Sequence, residues 1–263
     1  MCVYDISILS LLAMFLLLLI PLGIMLYFKV NLIRSTLIAV IRMTAQLFAI
    51  GIFLQYIFKM NNLFVNLLWL LIMIIFASFT AIKRSELSFR FIYAPIFFSF
   101  LISNIIVVLY FNIFFLNLSD ILNARYLIAI SGMLLGNSLR SNIIGISDFY
   151  DSIKRNENRY LYKLSMGAGK YEILMQYISK SITLALKPTI ASIAVTGLVS
   201  LPGMMTGQIL GGSAPIVAIK YQLAIMIAIL TATAISIVLS ILFTVGKAFD
   251  SYGILRRNIF KKN

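Results

Sequence analysis

Seven long runs of apolar residues set the limits on how this chain can fold. Each has about 20 residues or more, so a helix rising about 1.5 Å per residue crosses the roughly 30 Å hydrocarbon core of a bilayer. Only 11% of the residues are charged, against about 25% in soluble domains. The sequence therefore predicts an all-α, polytopic membrane protein of about seven transmembrane helices, at residues 6–28, 36–58, 63–82, 91–111, 121–144, 178–201 and 215–243.

The basic residues predict how these helices are oriented. Sixteen of the 22 Lys and Arg residues fall in the segments on one side of the predicted bundle, and two fall on the other. Cytoplasmic loops of membrane proteins retain Lys and Arg. We therefore expect the N-terminus outside and the C-terminus in the cytoplasm, which requires an odd number of spans. The same rule accounts for the net charge of +14 without a nucleic-acid partner.

The chain has little of the chemistry that enzymes or ion-coupled carriers use. It contains no His and one Cys, Cys2, and its eight Asp and Glu residues all fall in loops or at span ends. Ion-coupled carriers usually keep a carboxylate inside the membrane. Residues 167–170 resemble half of a phosphate-binding loop, but Tyr171 follows Lys170 and Leu164 stands where a Gly is needed. We expect no enzyme activity and no cofactor in this chain, so any ATP must be bound by another subunit.

Polar residues within the spans are candidates for a transport pathway. Arg42 and Gln46 are four residues apart and share a helix face. They either line a polar pathway, or the Arg42 side chain reaches the headgroups. Asn137 either bonds across helices or lines the path.

Residues 201–212 form the most unusual segment, uncharged and with Gly at every fourth position from Gly203. Pro202 breaks or begins a helix, so we expect a re-entrant or broken-helix element, of the kind that forms sites in transporters. Its candidate residues are Met204, Met205, Thr206 and Gln208. The two thioethers are soft metal ligands or packing filler.

A stripe of small residues marks the last span at intervals of four, from Ala224 to Ser240. Such a stripe lets another helix backbone approach closely. Two partners are possible, a helix of the same chain or a second copy of the chain.

Three segments carry a resemblance to a known family. Residues 132–138 (Gly-Met-Leu-Leu-Gly-Asn-Ser), 197–210 (with Leu-Pro-Gly-Met-Met-Thr-Gly-Gln) and 220–222 (Lys-Tyr-Gln) resemble the Fet-type ABC transporter permeases. These are bacterial iron-export permeases, to which plant aluminium-tolerance permeases are related. Arg42 and Gln46 fit the family's early motif. Leu139 and Arg140 depart from it, since the family usually has Met and then Asn after Gly-Asn-Ser.

The resemblance implies one transmembrane permease domain over residues 1–263 with a cytoplasmic coupling loop at about 145–180. It implies export of iron or another metal across a bacterial inner membrane by a homodimer bound to a separate ABC-type ATPase subunit. A solvated loop without a partner is the alternative for residues 145–180, and an autonomous secondary transporter or channel for a small solute is the alternative function. Residues that hold a metal stay unassigned. The expected ATPase-coupling residues are Glu157, Gly167 and Ala168, and the expected pathway residues are Arg42, Gln46, Asn137, Met204, Met205, Thr206 and Gln208.

Overall fold

The structure is a computed structural model that describes residues 7–115, 123–250 and 252–260. These residues are mostly helical and form no β-sheet, only three isolated bridges. A 3-10 turn joins α1 to α2, and a π-helical turn follows α5. The all-α prediction is confirmed. The helices are α1 (Ile8–Phe15), α2 (Leu19–Tyr27), α3 (Ile33–Met60), α4 (Leu63–Arg84), α5 (Phe89–Tyr110), α6 (Ala124–Arg155), α7 (Glu157–Ser165), α8 (Lys170–Val195), α9 (Gly203–Leu210) and α10 (Pro215–Ala248).

Seven segments of the described chain are long and apolar enough to cross a bilayer, which confirms the predicted number. The predicted span starts at residues 6 and 121, like Cys2, lie outside the described residues. The largest differences from the predicted limits are in α6, which continues to Arg155, and in α8, which begins at Lys170 and ends at Val195, before the predicted end at residue 201. A helix satisfies its own backbone hydrogen bonds, so it need not end where its side chains become polar.

Helix α10 lies at the centre of the bundle and packs against α5, α6, α8 and α9. Its small-residue stripe faces inward: Ala228, Ala232, Ser236 and Ser240 are all buried, and Ala224 is half-buried. Small side chains bring helix backbones close together. Packing within the chain therefore accounts for the stripe.

The first three helices are only loosely attached to this bundle. No described residue of α2 is buried, and Ile57 is the one buried residue of α3. The carboxyl-terminal part of α3 makes the contact, with the Phe53 and Trp69 rings 4.3 Å apart. The amide oxygen of Asn61 also accepts a 3.0 Å hydrogen bond from the backbone N–H of Ala124. The amino-terminal part of α3 is left facing the surroundings.

The bundle has two ends with different contents. One end, the α7 end, holds the α4–α5 loop, the last turns of α6, helix α7, the first turns of α8 and the C-terminal tail (residues 249–260). The other end, the α9 end, holds the α3–α4 turn, the start of α6 and helix α9. The tail folds back across its end, where Ile259 is fully buried and its carbonyl accepts a 2.7 Å hydrogen bond from the Ser88 N–H.

Candidate functional site

A cavity of about 350 Å³ lies between α6, α8, α9 and α10. Each of the four helices contributes polar or functional residues to its wall. It receives Asn137 and Arg140 from α6, Ser192 from α8, Pro202 and Met204 from α9, and Gln222 from α10. This volume is at the lower end of the range that small-molecule sites occupy, about 300–1,000 Å³.

The α6 wall is a single helix face. Met133, Asn137, Arg140 and Ile144 follow one another at spacings of three or four residues, so their side chains project in the same direction. The Asn137 amide donates a 2.9 Å hydrogen bond to the Met133 carbonyl. Arg140 lines the cavity, is exposed, and makes no hydrogen bond or ion pair with the described residues. The α6 wall therefore presents a free guanidinium.

The α9 wall exists because the helix breaks between two spans. Helix α8 stops at Val195, Gly197 adopts a positive φ of 92°, and its N–H bonds to the Ser200 carbonyl in a tight turn. Pro202 then caps α9 in an extended conformation. The predicted broken-helix element is confirmed, and the residues of it that line the cavity are Pro202, Gly203 and Met204. The cavity thus borders the amino-terminal turn of α9.

Gln222 supplies a buried amide at the same cavity. Its side chain is 5% exposed, and its carbonyl oxygen has no hydrogen-bond partner among the described residues. Buried polar groups usually have a partner. An amide with an unsatisfied end at the edge of a cavity is therefore suited to a polar ligand.

The structure brings together two of the predicted pathway residues, Asn137 and Met204, and places the others elsewhere. Arg42 and Gln46 are exposed on the loosely attached part of α3. Further along α9, Met205 is buried, the Thr206 hydroxyl donates to the Pro202 carbonyl at 3.2 Å, and the buried carbonyl oxygen of Gln208 has no partner among the described residues.

Sequence reasoning missed the other polar residues of this cavity as pathway candidates. Arg140 was interpreted as a departure from the family pattern whose charge either alters substrate preference or reaches the inner headgroups, and Gln222 only as part of a motif. The signal for both was available: each is a strongly polar side chain inside an apolar span, which is costly without a partner or a polar space.

The predicted coupling residues lie around α7. Glu157 is half-buried and begins the helix, where a negative charge is favoured by the helix dipole. Gly167 forms the turn after α7 with a φ of 87°, which side chains rarely adopt. Ala168 packs against the core, while Met166 is 72% exposed at the tip. The turn is an exposed projection on a packed base.

The C-terminal tail holds α7 in place. The Tyr160 hydroxyl donates a 2.7 Å hydrogen bond to the Gly253 carbonyl, and its ring lies 5.9 Å from that of Phe249. Burial, with contributions from Asp250 and Tyr177, raises the pKa of Tyr160 to about 12. The phenol is therefore neutral at physiological pH and acts as a donor.

A polar cluster ties α6 to α8 near the same end. The Asp148 carboxylate accepts hydrogen bonds from Ser181 at 2.8 Å and Ser152 at 3.3 Å. The Lys180 ammonium lies 3.8 Å from it, but Lys180 is 58% exposed. The buried serine contact, more than the exposed ion pair, fixes the two helices.

Metal-binding chemistry is sparse in the part of the chain that the structure describes. It holds no group of three or more His, Cys, Asp or Glu residues that could hold a metal ion. The cavity contributes thioethers from Met133, Met204 and Met226 instead.

Comparison with known proteins identifies the family. The model of the family described as "Uncharacterised protein family (UPF0014)" matches residues 8–249. The chain belongs to the UPF0014 family. UPF0014 membrane protein YjkA of Bacillus subtilis is 31% identical over 88% of this chain and 91% of its own length. No solved structure matches the chain significantly.

Two further relatives connect the chain to the family that its sequence resembles. Protein ALUMINUM SENSITIVE 3 of Arabidopsis thaliana is 33% identical over 77% of this chain and 72% of its own length. The probable iron export permease protein FetB of Escherichia coli is 30% identical over 85% of each chain. The resemblance is therefore confirmed, and the protein is a multi-pass membrane protein of this family.

Proposed function

We propose that this chain is the membrane-spanning permease subunit of an ABC transporter, an exporter of iron or another metal-containing solute. The observation that carries the proposal is a shared pair of helices. Helices α6 and α8 flank the projecting α7 turn at one end, and both line the cavity towards the other. A force on α7 would therefore move two walls of the cavity together, a rigid-body mode of gating.

The energy source in this proposal is a separate ATPase subunit. The chain has no complete phosphate-binding loop, because Tyr171 follows Lys170 and Leu164 occupies the position of the first Gly. The α7 end would face the cytoplasm, in agreement with the excess of Lys and Arg there. Glu157, Gly167 and Ala168 would form the contact with the ATPase in the inner membrane of a bacterial cell, within a complex that contains two copies of this chain.

Export of iron is supported by the name of one relative, the probable iron export permease FetB. Metal analysis of cells lacking the protein tests this part. A rise in intracellular iron supports iron export, and an unchanged iron content contradicts it.

The contact with the ATPase is tested by Gly167→Val. A Cβ at Gly167 meets no atom of the described residues within 4 Å, and a side chain there is strained at φ 87°, at a cost of about 1–2 kcal/mol. Gly197→Val is the matched control, because Gly197 also has a positive φ and open space but lies near the α9 end. We expect Gly167→Val to lose co-purification of an ABC-type ATPase identified by mass spectrometry, and Gly197→Val to retain it.

Two results would contradict the proposal. One is equal ATPase recovery with both variants. The other is transport by the purified chain alone in liposomes without nucleotide, which would identify an autonomous carrier or channel. In that case the α7 turn would be a solvated loop with no partner.

A further inference from the structure

We propose that the cavity binds the anionic group, carboxylate or phosphate, of a small organic solute. A metal ion would then cross as part of an anionic chelate and not as a bare cation. The inference deepens the proposed function and rests on it, since it takes the cavity to be the route of the cargo. Three features of the cavity carry it: its charge, the helix end at its wall and its unsatisfied amide.

The charge is that of Arg140, the only ionisable residue among the described residues that line the cavity. Arg140 lies 16 residues after Ala124, or about 24 Å along α6, and four residues before the end of the predicted span. A charge within a membrane helix is costly unless it finds a partner or a polar space. Among the described residues no acid offsets this cost, because Asp148, two turns away, is already bonded to Ser181 and Ser152. A bound anion would supply the missing partner.

The helix end is the first turn of α9. Its first backbone hydrogen bond runs from the Thr206 N–H to the Pro202 carbonyl. The N–H groups of Gly203, Met204 and Met205 precede it and have no intrahelical acceptor. A helix amino terminus carries a partial positive charge that favours anions. Pro202 and Gly203 line the cavity together with Arg140, so two sources of positive potential meet there.

The unsatisfied amide is that of Gln222, which is 5% exposed and has a carbonyl oxygen without a partner among the described residues. An amide offers both a donor and an acceptor. It suits a ligand that carries a hydroxyl beside its acidic group. A monatomic ion would leave half of this amide unused, which favours an organic anion.

A bare metal cation fits this cavity poorly. Hard divalent cations need several oxygen ligands, usually including carboxylates, and the described part of the chain contributes no carboxylate to the cavity. The thioethers of Met133, Met204 and Met226 favour soft ions, but the guanidinium beside them repels any cation. The same thioethers can contact the apolar carbon atoms of an organic anion.

Binding to the purified full-length chain tests the inference without ATP or an ATPase. The chain is placed in nanodiscs of phosphatidylcholine and titrated calorimetrically with citrate, glucose 1-phosphate and inorganic phosphate. We expect citrate or glucose 1-phosphate to bind more tightly than inorganic phosphate. Arg140→Gln should weaken this binding tenfold or more, as expected for a charge-assisted hydrogen bond of roughly 1.5–3 kcal/mol.

The matched control is Lys220→Gln, which removes the same charge from an exposed residue on α10 that does not line this cavity. It should bind the anions as the wild type does. A second variant, Gln222→Leu, guards against misfolding of Arg140→Gln. Removing a buried unpaired oxygen should leave thermal stability equal or higher, while anion binding weakens; a purely structural role for Gln222 predicts lower stability.

Several outcomes would overturn the inference. These are no binding of any of the three anions, equal binding by wild type and Arg140→Gln, or inorganic phosphate binding as tightly as the organic anions. Loss of binding in phosphatidylglycerol nanodiscs would assign Arg140 to a lipid headgroup and would also overturn it. If anions bind through Arg140 but transport never depends on an ATPase, the permease proposal fails alone. If ATP-driven transport is intact in Arg140→Gln, the anion inference fails alone.

Discussion

The two halves of helix α6 differ in how closely their neighbours approach. At Gly136, no heavy atom lies within 4 Å of the position that a Cβ would occupy. At Gly145, nine residues closer to the α7 end, that position lies 2.5 Å from the Ile237 side chain and 3.1 Å from Ala185. Gly136 is exposed and is the neighbour of the cavity-lining Asn137, whereas Gly145 is buried where α6, α8 and α10 close against one another.

This difference extends to the two ends of the bundle. At the α9 end the chain contains a helix break, a cavity and a buried amide oxygen without a partner. At the α7 end the tail is bonded to α7 and to the α4–α5 loop, and the Asp148 carboxylate accepts hydrogen bonds from Ser181 and Ser152. The comparison suggests that the α7 end moves as a rigid unit, whereas the α9 end changes conformation. Close-packed regions transmit displacement because they cannot deform gradually.

Among the substitutions that test this comparison, Gly145→Leu is expected to have the largest effect on stability. The new side chain must displace Ile237 and Ala185, and overpacking of this kind costs about 1–3 kcal/mol or more. We expect a clear fall in melting temperature, measured by size-exclusion chromatography after heating. Gly136→Leu is the control on the same helix, and it should melt at the wild-type temperature or slightly above it, since Leu is the better helix former. Equal losses at both positions would show that α6 is packed alike along its length.

A smaller effect is expected from Asp148→Ala. The change removes the acceptor of the buried Ser181 hydroxyl, which costs about 1–2 kcal/mol, while the exposed Lys180 contributes little. Hydrogen exchange should increase in the first turns of α8. Asp151→Ala is the control, because Asp151 is an exposed carboxylate one turn further along α6. Unchanged exchange in Asp148→Ala would mean that this cluster does not hold the α7 end together.

Much of the fold follows from hydrophobicity alone, because each span must bury its backbone polar groups within itself in a bilayer. A break at Pro202 was predictable, since Pro202 cannot donate a backbone hydrogen bond, but α8 ends earlier, at Val195, and not at the predicted residue 201. The length of α6 and α8 was not, because a helix continues through polar residues at helical spacing.

The site was less predictable than the fold. Asn137 and Met204 reach the cavity as expected, but Arg42 and Gln46 do not. Polarity inside a span shows that a side chain needs a partner, but it does not show which way the helix is rotated or how tightly it joins the bundle. The rotation of a helix depends on packing between segments that are distant in the sequence. Gln222 on α10, for example, lines the same cavity as Asn137 and Arg140 on α6. A local pattern contains no such information.

The smallest expected effect concerns the C-terminal tail and is measured through the pH dependence of stability. The pKa of Tyr160 is raised from 10.0 to about 12 in the folded protein. Below about pH 10 the phenol is neutral in both the folded and the unfolded protein, so its contact with Gly253 contributes fully to the stability of the folded state. As the pH rises from 10 towards 12, the unfolded phenol ionises first, and this contribution is lost.

Tyr160→Phe should therefore loosen the tail slightly at neutral pH, by about 1 kcal/mol for one lost hydrogen bond. It should also remove part of the decline in melting temperature between pH 10 and 12. Tyr252→Phe is the control, because Tyr252 is 80% exposed in the same tail, and its alkaline decline should match the wild type. If all three proteins decline alike, the Tyr160–Gly253 contact does not fasten α7, and the α7 end would be no more firmly held than the α9 end.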